Sequence, residues 1–75
     1  MNNERRREIK KVIKRIDELK TDIDMILMDE QFAYDNMPEG LQSSDRGQNC
    51  EDSIDVLERA MEGLDDVVDT LGEIN

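Results

Sequence analysis

The 75 residues contain no histidine, no tryptophan, one cysteine, one proline and two aromatic side chains. Each scarcity excludes something. Without histidine the usual zinc ligand sets are out of reach, and with Cys50 alone no internal disulfide can form. Long apolar runs are missing too. The longest is Met25 to Met28, far short of the ~20 residues that cross a bilayer. No apolar stretch follows the opening Glu4-Arg5-Arg6-Arg7-Glu8, so the start does not read as a signal peptide. A lone thiol fits a reducing interior, and the chain is expected to be cytoplasmic, without a membrane segment. At 36% hydrophobic and 40% charged it lies near the border of disorder. A core this small rarely yields more than ~3–5 kcal/mol. With disulfide and metal excluded, self-association is the remaining source of stability.

What is present is charge, unevenly distributed. The net charge is −10. Residues 1–20 hold eight basic against four acidic side chains, a balance of +4, and residues 21–75 hold two against sixteen, a balance of −14. Phosphates would be repelled by most of such a molecule, which makes direct nucleic-acid binding an unpromising role.

Apolar residues repeat every seven positions. Ile9, Ile16 and Ile23 form one series and Val12, Leu19, Ile26 and Ala33 a second, with Ile13, Leu27 and Tyr34 widening the stripe. Further on, Cys50, Leu57, Leu64 and Leu71 run beside Ile54, Met61 and Val68, widened by Ala60, Val67 and Ile74. Period seven is the signature of helices joined along a seam. Between the two repeats lies Met37-Pro38-Glu39-Gly40-Leu41-Gln42-Ser43. Pro38 disfavours helical geometry at Met37, and Ser43 or Ser44 can cap the second helix. The expected fold is all-α, one domain over 1–75. It is an antiparallel hairpin of helix 1 (about 4–36) and helix 2 (about 44–73), with a connection at about 37–43. Stripes this wide exceed what one pair of helices covers, so two hairpins are expected to form a homodimeric four-helix bundle. Its core would take Ile9, Ile16, Leu19, Ile23, Ile26, Ile54, Leu57, Met61, Leu64, Val68 and Leu71. Antiparallel pairing would bring the basic start of helix 1 beside Asp65, Asp66, Asp69 and Glu73.

No catalytic set assembles from these residues. Cys50 has no histidine to make its thiolate and falls on the seam, where it reads as a small buried hydrophobe. Asp22-Ile23-Asp24 lacks the turn glycine and remaining ligands of a calcium loop. Neither the Glu-x-x-His of a di-metal bundle nor a phosphate-binding glycine loop occurs. The expectation is a protein without enzymatic activity, metal or cofactor.

Two surface features are candidates for function. Met25, Met28 and Phe32 recur at spacings of three and four on the side of helix 1 away from its seam. With Tyr34 and Met37 near the tip they form a candidate partner-binding surface, unless Met37 and Leu41 fold back over it. The outer face of helix 2 carries Asp55, Glu58, Glu62, Asp65, Asp66 and Asp69, an acidic strip that can imitate a phosphate backbone or simply solvate the protein.

The stretch from Asp29 to Gly47, DEQFAYDNMPEGLQSSDRG, followed by an acidic amphipathic helix, resembles a family of small uncharacterised helical-hairpin proteins of Firmicutes and their phages and mobile elements. The resemblance covers roughly residues 29–75, and its specific part is the Asn-Met-Pro-Glu turn with the Leu-Gln and Ser-Asp-Arg-Gly after it. It implies a bacterial or phage origin and an accessory binding role. Within the turn, Asn36 can cap, Gly47 would let helix 1 approach near Ala33, and Arg46 lies within reach of Glu30 or Asp35. The leading expectation is a self-associating protein-interaction module. It would contact an unidentified protein through the hairpin tip and the outer face of helix 1. The alternative is an inhibitor that blocks a host defence protein through the acidic strip.

Overall fold

A computed structural model describes residues 1–74. Its elements are α1 (Asn3–Asp35), the single turn α2 (Glu39–Gln42) and α3 (Asp45–Leu71). α1 and α3 pack against each other as an all-α hairpin, 58 Å long and 15 by 11 Å across. No helix among the described residues is long and apolar enough to cross a membrane.

Local chemistry sets the ends. Asn2 caps α1, its side-chain oxygen accepting from the Arg5 amide at 2.8 Å, and so satisfies one of the orphan donors of the first turn. At the other end Asn36 donates both its backbone N–H and its Nδ2 to the Phe32 carbonyl, at 3.1 and 2.7 Å. Pro38 then stops the helix and opens α2, its carbonyl accepting from Leu41 and Gln42 at 2.8 and 3.1 Å. Gln42 Nε2 donates to the Tyr34 carbonyl at 3.0 Å, tying the connection back onto the end of α1. No residue here needs a positive φ.

The connection departs from the sequence expectation in two ways. Ser44 precedes α3, but neither it nor Ser43 offers its hydroxyl to the amides of α3. Ser44 Oγ donates to the Leu41 carbonyl and Ser43 Oγ to that of Glu39. Gly47 is needed for the connection and not for helix 1 near Ala33, which is exposed. A Cβ on Gly47 would fall 2.1 Å from the Gln42 backbone oxygen, an impossible contact. The chain folds back on itself there and only hydrogen fits.

The seam of α3 follows its expected series, with Ile54, Leu57, Met61, Leu64, Val68 and Leu71 half-buried against α1. That of α1 is rotated. Ile9, Ile16 and Ile23 point inward as expected and Val12 is half-buried, but the second inward series is Ile13, Lys20, Leu27 and Tyr34. Leu19 and Ile26 remain 54% exposed. One step around a helix is about 100°, so exchanging Leu19 for Lys20 turns the contact face toward Tyr34. Two of the rotated positions make polar bonds to α3, Lys20 pairing with Asp65 and Tyr34 OH donating to Glu51, and in the unrotated series Cys50 Sγ donates to Glu30 Oε1 at 2.9 Å.

The core that results is thin. Among the described residues only Gly47 and Cys50 are buried, both near the tip. The accessible surface is 5816 Å², where a compact monomer of 8.7 kDa exposes about 4,700 Å².

Candidate interaction faces

Lys20 and Asp65 face each other across the hairpin, and in an antiparallel pair each step back on α1 corresponds to one forward on α3. The last residue of α3, Leu71, is therefore level with Lys14. Arg5, Arg6, Arg7, Lys10 and Lys11 extend past the end of α3. Of the basic residues in α1 only Lys20 forms an ion pair with α3 among the described residues, instead of the whole basic start meeting Asp65, Asp66, Asp69 and Glu73. The Asp65 carboxylate raises the Lys20 pKa, chiefly through their hydrogen bond. Arg46 pairs with neither Glu30 nor Asp35.

The hairpin presents three distinct faces. On the back of α1, opposite α3, Met25, Met28 and Phe32 are 62%, 62% and 71% exposed. Met37 and Leu41 do not cover them. Leu41 is itself largely exposed, and Met37 is half-buried at the turn. Tyr34 belongs elsewhere. It is half-buried in the joint between α1 and α3, and its hydroxyl donates to Glu51, a bond that raises the Tyr34 pKa. The structure thus separates Tyr34 from the methionine patch.

The second face is the acidic back of α3. Asp55, Glu58, Glu62, Asp65, Asp66 and Asp69 are all exposed, with Asp55 held by Arg59 at 3.0 Å and Asp65 by Lys20. The third face does not emerge as a unit from the heptad pattern. Leu19 and Ile26 on α1, and Val56 and Val67 on α3, lie exposed on one flank of the hairpin, and Ile26 and Val56 line the same open groove with Asp52 and Ser53. A signal for it does exist in the sequence. Val56, Ala60 and Val67 recur at spacings of four and seven, which places them on one stripe beside the seam.

Cys50 is 5% exposed, and its thiol donates to the Glu30 side chain and, at 3.5 Å, to the Glu30 carbonyl. Its pKa is raised, first by the bond to Glu30 and then by desolvation. That is the reverse of what activates a cysteine nucleophile. No three potential metal-ligating side chains converge among the described residues.

The fold and faces define a small all-α helical hairpin with exposed apolar side chains on two of its sides. No protein-family profile matches the chain, and no curated protein or solved structure matches it significantly.

Proposed function

We propose that the chain is a non-catalytic, cytoplasmic protein-interaction module of bacterial or phage origin. It self-associates as a homodimer and presents the hairpin tip and the back of α1 to a protein partner. The observation that carries this reading is the exposure of Met25, Met28 and Phe32, three large flexible or aromatic side chains on the side of α1 opposite α3. Clustered apolar side chains of this type mark adaptable protein-binding surfaces. Self-association is supported by the thin core and by surface in excess of what a compact monomer shows.

The double substitution Met28→Glu with Phe32→Ser tests the binding face. Both side chains are exposed, so the thermal midpoint is expected to move by no more than about 4–8 °C, as two surface substitutions of less than ~0.5 kcal/mol each sum to under ~1 kcal/mol. Capture of the partner from the source cell by wild-type protein is expected to be lost with the variant. A large fall in midpoint without a separate binding defect would mean the patch belongs to the folded core.

A second reading rests on the exposed acidic strip of α3, which would block a host defence protein by imitating nucleic acid. Ionic strength separates the two. Binding through the strip weakens steeply with salt, and binding through the methionine patch does not.

A further inference from the structure

We infer that the partner covering the third face is a second copy of this chain, related by a twofold axis that runs along the hairpin, so that each α1 lies antiparallel against the other copy's α3. The inference rests on the self-association proposed above and specifies its surface and geometry.

Three observations converge on it. The first is shape. The exposed stripe of Leu19 and Ile26 on α1 and that of Val56, Ala60 and Val67 on α3 lie beside the intramolecular seam and open to the same side. Each helix then shows two apolar sectors roughly at right angles, as a member of a four-helix bundle requires. The second is area. The hairpin exposes roughly 1,000 Å² more than a compact monomer of its mass, and a stable interface removes about 800 Å² from each partner.

The third is charge, and it decides the orientation. α3 carries nine carboxylates against two arginines, a net −7, so an arrangement that lays α3 on the second copy's α3 sets −7 against −7. Pairing each α1 with the other copy's α3 avoids that. With Lys20 level with Asp65, Leu19 of one copy comes opposite Val67 of the other, and Ile26 opposite Ala60. The rims then match in sign. Arg59 falls between the second copy's Asp22 and Asp29, whose surroundings on α1 are acidic, and Glu73 falls beside its Lys11. Arg59 is the one basic residue in the outer part of α3, and it stands where the facing rim is negative. The methionine patch stays on the outside of such a dimer, free for a different protein.

The test combines orientation with charge reversal. Spin labels placed by Glu39→Cys in a Cys50→Ala background are expected to lie at the same end of the dimer, about two helix diameters or roughly 20–25 Å apart. Arg59→Glu is expected to weaken the dimer two- to fivefold, the scale of rim ion pairs, and Asp22→Lys with Asp29→Lys in the same chain to restore it. This second arm keeps Cys50 and does not depend on the labelled protein folding. A tip-to-tip distance near the 58 Å length of the hairpin, or no rescue by the reversed charges, overturns the arrangement while leaving self-association standing. A folded monomer at micromolar concentration overturns both.

Discussion

Cys50 Sγ donates to Glu30 Oε1 across the α1–α3 joint at 2.9 Å, fastening two side chains that occupy seam positions where an apolar pair would ordinarily meet. With Tyr34–Glu51 and Lys20–Asp65 it forms a ladder of three polar contacts along the hairpin. Apolar seams tolerate sliding by a heptad, whereas directional bonds do not. The ladder fixes which residues of α1 meet which residues of α3.

Stability is expected to fall at alkaline pH. The folded protein holds the protons of Cys50, Tyr34 and Lys20 more tightly than their ordinary values of 9.0, 10.0 and 10.5, in each case chiefly through the hydrogen bond to a carboxylate. The folded state therefore binds more protons than the unfolded one in this range, and stability decreases with pH. The contribution is fully present below pH 9 and is lost as pH rises through the raised values. Thermal melts between pH 7 and 11 check this. Cys50→Ala is expected to remove the earliest part of the decline, and a midpoint that holds steady to pH 11 would contradict the ladder.

Alkylation of Cys50 should report opening of the tip. The thiol is buried and its thiolate is disfavoured, and only the thiolate reacts. Iodoacetamide labelling of the native protein at pH 8 is expected to be at least tenfold slower than in denaturant. Equal rates would mean that α1 and α3 separate freely near Cys50.

Two glycines should respond with opposite signs. Gly47→Ala drives a methyl into the Gln42 backbone and is expected to cost at least ~2 kcal/mol, comparable to other overpacked sites. Gly63 lies mid-helix, where an added methyl would meet nothing within 4 Å, and Gly63→Ala is expected to add about 0.5–1 kcal/mol. Chemical denaturation of the two variants measures both.

Truncation of the seam at Leu64→Ala is expected to cost about 2 kcal/mol, at the low end for leucine because the site is half-buried in the hairpin. Burial in a dimer would raise the cost and make it concentration-dependent. A loss near zero in urea titrations would show that Leu64 does not face α1.

The helices, the turn and the hairpin are legible in the amino-acid order, because each follows from local rules. A seven-residue apolar period makes a helix with one buried side, Pro38 ends α1 within a turn, and the inward series Ile54, Leu57, Met61, Leu64, Val68 and Leu71 is unambiguous on α3. The exposed back of α1 at Met25, Met28 and Phe32 was legible for the same reason. The rotation of α1 emerges only where the two helices meet. Leu19 and Lys20 are adjacent, and hydrophobicity alone favours Leu19 on the seam. Lys20 takes the place because its stem lies along the joint while its charge reaches Asp65 on another helix. The role of Gly47 depended likewise on the return path of the connection, which brings the Gln42 carbonyl onto its α-carbon. Such outcomes depend on where distant atoms meet, and periodicity along one helix carries no information about which face its neighbour's charges will select.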